Sequence, residues 1–346
     1  MVSRRGSSLN KRRPRLHTAQ TDPDIPSATL RAMYVTMLRI RRFEEKVAEL
    51  IHPLNEIICP CHLYIGQEAV ATGVCSALKK EDWVFSTHRS HGHYIAKGGD
   101  MKALMAELYG KETGCSRGRG GSMHLSSPEQ GLPGSSAIVA GTRPLAVGAA
   151  LAFSMQKKDS VSVAFFGDGA AGEGVFYESL NFASLKKLPV IFVCENNLYS
   201  THLPISSCLA HIQIWEKAEA FNMPGIRVDG NNAVEVFQAA KRAVDDARLG
   251  KGPALIECMT YRWRGHVGPH DDIDMGLRSK KELDYWMQRC PIKALEEVLL
   301  NRGVMTESEK AKIMEGVDRE VEESLIFARE SPYPHKSSFL SHVFKA

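Results

Sequence analysis

Two runs of glycine, acidic and amide residues, each directly after a short apolar block, constrain this chain more than any other feature. Residues 167–174 and 195–200 each follow a block rich in Val, Ile and Phe that is typical of a buried strand. Asn197 lies 29 residues after Asp168, which leaves room for one helix between two parallel strands. Because ligands of open α/β sheets bind at the carboxyl ends of the strands, we expect both runs to border one site.

The residue types in these runs suit a hard divalent cation that holds a diphosphate. Mg²⁺ takes about six oxygens in an octahedron and usually shares them between protein and phosphate. Asp168 offers a carboxylate oxygen, Asn197 an amide oxygen and Tyr199 its backbone carbonyl. Gly169 and Ala170 are predicted to turn backbone N–H groups towards the phosphates. The alternative is an aspartate that caps a helix and an asparagine in a turn, both of which are common.

The same runs, with four further blocks, resemble the motif of thiamine-diphosphate enzymes. The resemblance is strongest to the alpha subunit of the decarboxylating component of 2-oxoacid dehydrogenase complexes, of the pyruvate and acetoin dehydrogenase type. It extends over most of the chain and rests on the blocks 62–69, 86–93, 111–124 and 261–266. It implies an α/β thiamine-diphosphate-binding fold, with a mainly parallel sheet flanked by helices and a helical C-terminal extension.

The resemblance also gives roles to basic residues in loops. It implies that Arg89 faces the diphosphate, where a guanidinium presents forked donors that match phosphate oxygens, and that His88, the preceding residue, also binds the cofactor. It implies that His266 reaches the cofactor and that His62 lies on the substrate side, so these two are the predicted catalytic residues. From the residue types alone, Arg89 would be an exposed loop arginine and each histidine a structural one.

Three more cofactor-binding residues follow from the resemblance. Ala137 and Val139 match positions that support the aminopyrimidine ring, although the run 134–141 departs from the further glycine or asparagine of relatives. Glu195 matches a position that lines the cofactor, and a carboxylate behind the site or on the surface is the alternative. The departure in 134–141 leaves the shape of the pocket and the choice of substrate open.

The resemblance further implies that the active site is shared with a second chain. In the family, a glutamate that acts on the aminopyrimidine comes from the beta subunit of an α2β2 heterotetramer, and this sequence shows no convincing counterpart. The predicted reaction is oxidative decarboxylation of pyruvate, or cleavage of acetoin, with transfer of the acyl unit to a lipoyl-bearing acyltransferase component. Neither nucleic acid nor membrane is an expected partner.

Two other functions stay open at this point. One is a related thiamine-diphosphate subunit recruited to specialised metabolism, for which the run 134–141 and His202 argue. The other is a non-catalytic scaffold paralogue. Asp168, Asn197, Arg89 and His266 argue against a scaffold, because a protein released from catalysis has no physical need for all four.

Composition and charge set the remaining limits. The chain of 346 residues is 43% hydrophobic, which suits one large domain, predicted over 27–335 with a helical extension over 280–335. Residues 1–26 form a basic segment that holds much of the net charge of +4, so charge gives no argument for nucleic acid. This segment is predicted to be a disordered tail, with a mitochondrial transit peptide as the alternative.

Cysteine usage favours a reducing compartment. The eight cysteines show no framework spacing, and Cys59 and Cys61 are too close in sequence for the usual structural zinc pair. The expected location is therefore the cytoplasm, or the mitochondrial matrix if the basic segment is a transit peptide.

Periodicity gives a coarse order of elements. A polar helical region is expected over 280–330, and loops over 110–144, 199–215 and 262–279. The predicted helices are 28–51, 67–78, 101–109, 144–155, 173–185 and 232–249, and the predicted strands are 83–86, 161–166, 189–194, 225–228 and 254–258. Ser27 is the expected cap of the first helix, and the small apolar residues of 144–155 predict a tightly packed, buried helix.

Overall fold

A parallel sheet lies at the centre of the molecule and positions the other elements. The computed structural model describes residues 25–338 and 340–341. The strands are β1 Trp83–Ser86, β2 Gly134–Ser135, β3 Ser162–Gly167, β4 Val190–Asn196, β5 Tyr199–Ser200, β6 Leu203–Pro204, β7 Gly225–Asp229 and β8 Ala254–Met259. Six of them form one sheet in the order β2–β1–β3–β4–β8–β7, and every pairing in it is parallel. The short strands β5 and β6 form a separate antiparallel pair.

Helices cover both faces of this sheet. They are α1 Ser27–Ile51, α2 Glu68–Ser76, α3 His91–Ala96, α4 Met101–Leu108, α5 Thr142–Met155, α6 Gly174–Leu185, α7 Ile205–Cys208, α8 Ala233–Arg248, α9 Lys280–Gln288, α10 Pro291–Asn301 and α11 Glu307–Glu330. Side chains that alternate along a strand point to opposite faces. In β3, Val163 and Phe165 accordingly pack in a cluster with residues of α1, α2 and α8, whereas Ala164 and Phe166 pack with residues of α5 and α6.

The last two helices, α10 and α11, pack against the first helix. Residues of α10 and α11 form a third core cluster with Leu30, Met33 and Met37 of α1. Thr306 begins α11 with a capping box, in which its hydroxyl accepts from the Glu309 N–H and the Glu309 carboxylate accepts from the Thr306 N–H. The helical extension predicted for the C-terminal part is therefore three helices, not one polar stretch.

The predicted α/β fold class is confirmed, and the predicted strands and first helices agree with the structure to within two residues. Several local predictions were wrong. The strands β2, β5 and β6 and the short helix α7 lie where loops were expected, and the short helix α3 was not predicted. Ser27 is the first residue of α1, not its cap. The helix α5 was expected to be buried on all sides, yet Leu145, Gly148 and Met155 are exposed.

Two predictions concern the ends of the chain and the membrane. Residues 1–24 of the basic segment, on which the tail and transit-peptide predictions rest, lie outside the described residues. Within 25–338 and 340–341, no helix is long and apolar enough to cross a membrane.

Candidate functional site

The edge where β3 and β4 end holds the two side chains that the sequence singled out first. Gly167 pairs with Glu195 in parallel register, so Asp168 and Asn197 leave the sheet beside each other. The Asp168 carboxylate is buried, its Oδ2 atom has no hydrogen-bond partner, and it receives a hydrogen bond from the Asn197 backbone. Burial raises the pKa of Asp168 to about 6. An unpartnered buried carboxylate oxygen is the kind of atom that a bound cation would satisfy.

The amide of Asn197 is held in one orientation by its neighbours. Its Nδ2 atom donates to Gln67 Oε1 at 2.9 Å, and Gln67 is fully buried. Its Oδ1 atom accepts from Arg262 Nε and from the Tyr199 N–H, each at 3.4 Å. The turn after Asn197 brings Leu198 into the left-handed region, with φ of 73°. The donor set of carboxylate and amide oxygens therefore fits a hard cation such as Mg²⁺.

The turn that follows β3 is tightly packed. A Cβ atom at Gly169 would collide with the Ser200 hydroxyl, so this position requires glycine. The Ala170 carbonyl accepts two hydrogen bonds of 3.0 Å from the buried Arg143 guanidinium. Residues Asp168–Gly172 form a short 3₁₀ segment before α6 begins at Gly174. This packing holds the turn between the two predicted ligands in place.

Three imidazoles from three separate loops meet near this edge. The centroid of the His62 ring lies 4.7 Å from that of the His88 ring and 4.9 Å from that of the His266 ring. The ring nitrogens of the three lie within 4.8 Å of one another, and Nδ1 of the buried His62 has no hydrogen-bond partner. Burial is the main cause that lowers the pKa of His62 to about 2 and those of His88 and His266 to about 3. The three rings are therefore neutral at physiological pH.

Buried arginines lie against the histidines. Arg89 donates to the Leu63 carbonyl at 2.6 Å and to the His266 carbonyl at 3.1 Å. Arg262 donates to the Thr201 carbonyl at 2.8 Å, and Arg278 donates to the Arg262 carbonyl at 2.6 Å. Burial lowers the pKa of Arg89 to about 10 and, with repulsion from Arg89 and Arg278, that of Arg262 to about 9.

These arginines carry charge that the chain itself leaves unpaired. All three are at most 6% exposed, and within residues 25–338 and 340–341 none forms an ion pair with a carboxylate. Buried cations of this kind favour an anionic ligand over a second cation among the histidines. The site therefore joins an oxygen-rich cation edge to an anion-binding pocket.

Comparison with known proteins decides the family. The family model of the dehydrogenase E1 component matches residues 35–337. The chain is 42% identical over 315 residues to the alpha subunit of acetoin:2,6-dichlorophenolindophenol oxidoreductase from Bacillus subtilis (strain 168), across 90% of this chain and 92% of that protein. It is 42% identical over 322 residues to the pyruvate dehydrogenase E1 component subunit alpha of Porphyra purpurea, across 91% of this chain and 92% of that protein. The chain belongs to the dehydrogenase E1 component family.

Membership of the E1 family agrees with the resemblance inferred from the motif blocks and with the enzyme class that it implied, a thiamine-diphosphate-dependent oxidoreductase. It also explains the site in one respect. Among residues 25–338 and 340–341, the Asp168 Oδ2 atom has no hydrogen-bond partner and the buried arginines have no carboxylate partner. These are polar groups that a metal-bound diphosphate would satisfy.

Glu195, which was predicted to line the cofactor, has hydrogen-bond partners within this chain. Glu195 is buried and accepts hydrogen bonds from the Tyr64 hydroxyl and from His93 Nε2, the latter at 3.1 Å. The His93 ring stacks on Phe165 with centroids 3.9 Å apart. This arrangement favours a carboxylate behind the site over one that faces a ligand.

Ala137 and Val139 lie in the loop before α5, and both are partly open to solvent. Ala137 is half-buried and the Val139 side chain is 54% exposed. The adjacent Ile138 is 73% exposed. An aromatic ring bound at this loop would therefore need further apolar side chains, from outside the described residues, to cover it.

Two residues of the site were missed from the sequence. Gln67 and Arg262 lie within the quoted motif blocks but received no role, although both are nearly completely buried and both contact Asn197. The available signal was that both residues lie in the blocks 62–69 and 261–266, which carry the family resemblance. Their importance follows from burial, which depends on tertiary structure.

Proposed function

We propose that this chain is the alpha subunit of a dehydrogenase acting on pyruvate or acetoin, and that it binds the Mg²⁺–diphosphate half of thiamine diphosphate. The observation that carries the proposal is the buried Asp168 oxygen without a partner, beside Asn197, at the carboxyl ends of adjacent strands. The unpaired guanidinium groups of Arg89 and Arg262 supply the complementary charge for the diphosphate.

Each residue has a role that its position supports. Asp168, Asn197 and the Tyr199 carbonyl ligate the cation, and the N–H groups of Gly169 and Ala170 face the phosphates. The neutral histidines at 62, 88 and 266 and the Arg89 guanidinium line the anion pocket, with His266 towards the cofactor and His62 towards the substrate. When bound, thiamine diphosphate supplies the thiazolium carbon that adds to the substrate carbonyl. The chain itself positions that group and excludes water from the diphosphate end.

A beta subunit completes the site in this proposal. Glu195 is the buried glutamate that the resemblance placed at the cofactor. It already accepts hydrogen bonds from Tyr64 and His93. The exposed side chains of Ile138, Val139 and Leu145 form an apolar surface next to the predicted aminopyrimidine loop, which suits coverage by a partner. The relatives are named as alpha subunits, which supports an α2β2 heterotetramer and a lipoyl-bearing acyltransferase as acceptor.

The first test removes the cation ligand. Asp168→Asn keeps the size of the side chain but loses the charge, so the affinity for thiamine diphosphate in the presence of Mg²⁺ should fall by about 100-fold. Isothermal titration of the α/β complex measures it, with Asp274→Asn as the control because Asp274 is exposed. Unchanged affinity in the Asp168 variant would refute the ligand assignment.

The second test asks for the partner and the substrate together. The chain alone should show almost no dye-coupled turnover with thiamine diphosphate and Mg²⁺, because the resemblance implies that the beta subunit supplies the glutamate that acts on the aminopyrimidine. With its beta subunit, one of pyruvate, acetoin or a branched 2-oxo acid should reduce the dye. Robust turnover by the chain alone would show that the missing group is in this chain. Bound cofactor without turnover on any of these substrates would favour the specialised-metabolism alternative.

A further inference from the structure

A pair of cysteines lies on the segment that leads into the histidine cluster. The sulfur atoms of Cys59 and Cys61 are 3.7 Å apart, with Pro60 between them. Cys61 is 1% exposed, whereas Cys59 is partly exposed and its neighbours Ile58 and Pro60 are open to solvent. An oxidant in solution can therefore reach Cys59, while Cys61 lies directly behind it.

The two sulfurs differ in chemical character. The hydrogen bond with the Cys61 sulfur lowers the pKa of Cys59 to about 7, and a backbone hydrogen bond at Ser122 acts in the same direction. Contact with Cys59 and burial raise the pKa of Cys61 well above the ordinary value. A partly exposed thiol with a lowered pKa beside a buried thiol is the arrangement in which the first sulfur attacks and the second resolves.

We propose that Cys59 and Cys61 are a redox pair, which a peroxide converts to a reversible disulfide that loosens the loop holding His266. The Cys59 thiolate attacks one peroxide oxygen, the O–O bond breaks, and a sulfenic acid forms while the released hydroxide takes a proton to become water. The Cys61 sulfur then attacks the Cys59 sulfur and loses its proton, and the S–O bond breaks with loss of a second water. Two thiols are oxidised by two electrons, and one peroxide is reduced to two waters.

The backbone connects this pair to the anion pocket. The Cys61 carbonyl accepts a hydrogen bond of 2.8 Å from the Gly268 N–H, in the loop that carries His266. His62 follows Cys61 directly, and its ring contacts that of His266 with centroids 4.9 Å apart. In the proposed coupling, closing the sulfurs from 3.7 Å to a bond of about 2.0 Å is accompanied by movement of residues 59–61. That movement displaces both the carbonyl that holds Gly268 and the backbone of His62.

The link to cofactor binding rests on the proposed function, whereas the disulfide itself does not. We therefore test them with separate readouts. For the disulfide, the full chain is treated with hydrogen peroxide, alkylated under denaturing conditions and digested with trypsin. The peptide 47–79 contains both cysteines and Cys75, so fragmentation distinguishes the pairings.

The expected product is a Cys59–Cys61 disulfide with Cys75 alkylated, formed faster than any oxidation of the exposed Cys208 and reversed by dithiothreitol. Cys61→Ser should stop the reaction at the Cys59 sulfenic acid, which a dimedone adduct detects. The redox pair is refuted if Cys59 oxidises no faster than Cys208, or if it pairs with another cysteine.

For the link to the pocket, thiamine diphosphate affinity of the α/β complex is measured before and after oxidation. The wild type should bind roughly tenfold more weakly when oxidised and recover with dithiothreitol, since loss of geometry around the ligand weakens binding. Cys59→Ser should be insensitive to peroxide, and Cys208→Ser should behave as the wild type. A disulfide without loss of affinity would overturn the coupling, whereas absence of cofactor binding in the reduced wild type would overturn the proposed function instead.

Discussion

The cation edge and the histidine–arginine pocket are built in opposite ways. The cation edge uses Asp168 and Asn197, which come directly after adjacent parallel strands of a buried sheet. The pocket gathers His62, His88 and His266 from loops that together span 266 − 62 = 204 residues of sequence, and buried arginines hold it. The first depends on local strand ends, and the second depends on the packing of the whole chain.

The two regions also have opposite electrostatic deficits. The cation edge buries a carboxylate oxygen that has no donor, and burial raises the pKa of Asp168 to about 6. The pocket buries guanidinium groups without carboxylate partners, and burial lowers the pKa of Arg262 to about 9. Burying either region without a ligand therefore costs free energy. A cation bound to an anion would offset the cost in both regions, the cation at the carboxylate and the anion at the guanidinium groups. These opposite deficits favour a ligand that carries both a positive and a negative charge.

Arg262 is the side chain that bonds directly across the two regions, so changing it tests whether they act together. Arg262→Lys keeps the charge but loses the forked contacts with Thr201 and Asn197. Because hydrogen bonds from charged groups contribute about 1.5–3 kcal/mol each, thiamine diphosphate affinity should fall by about 100-fold. Titration calorimetry at saturating Mg²⁺ measures it.

The matched control is Arg264→Lys, two residues further along the same loop. Arg264 is only half-buried, and its contact at 2.8 Å is with the Pro269 carbonyl. It should change the affinity by less than about threefold. Equal losses of thiamine diphosphate affinity in the two variants would mean that the contacts of Arg262 with Thr201 and Asn197 contribute nothing specific to cofactor binding.

A smaller effect is expected from the residue that orients Asn197. Gln67→Met preserves volume but leaves the Asn197 Nδ2 atom without its acceptor. The apparent affinity for Mg²⁺ in the presence of cofactor should weaken by roughly tenfold, in line with the cost of an unmade buried hydrogen bond. Gln156→Met, at an exposed position, is the control. If Gln67→Met weakened the cofactor without changing the Mg²⁺ dependence, Gln67 would belong to the pocket instead of the edge.

The same comparison explains what the sequence alone revealed. Strands β3 and β4 and the positions of Asp168 and Asn197 were predictable, because apolar runs and the residues after them are local signals. The three histidines were gathered only through resemblance to a family, since no local pattern relates residues 62, 88 and 266. Their mutual contact is a product of tertiary packing.

Other features were missed for related physical reasons. The helix α3 has only six residues, too few to show a helical period, and contains histidines that bond to Glu44 and Glu195. The exposed face of α5 was misjudged because small and apolar residues such as Gly148 suit a core and an interface equally well. Burial of Gln67 and Arg262 leaves no periodic trace in the sequence either.

The smallest expected effect concerns the protonation of the pocket. Burial lowers the pKa of His62 in the folded chain to about 2, whereas an unfolded histidine has a pKa of about 6.5. As pH falls below about 6.5, the unfolded chain therefore gains a proton that folded His62 does not take, and stability is lost.

The substitution His62→Gln removes this slope. Between about pH 7.5 and pH 5.5, the wild type should lose about 1 kcal/mol more unfolding free energy than the variant. Urea unfolding of the cofactor-free protein at both pH values measures the difference. The substitution His335→Gln, at an exposed position, should keep the wild-type slope. If His62→Gln also kept it, His62 would be protonated in the folded chain, and the pocket would hold more positive charge than its neutral imidazoles imply. The anion that it binds would then have to offset that charge as well, so cofactor affinity would increase as pH falls, in contrast to the behaviour expected of neutral rings.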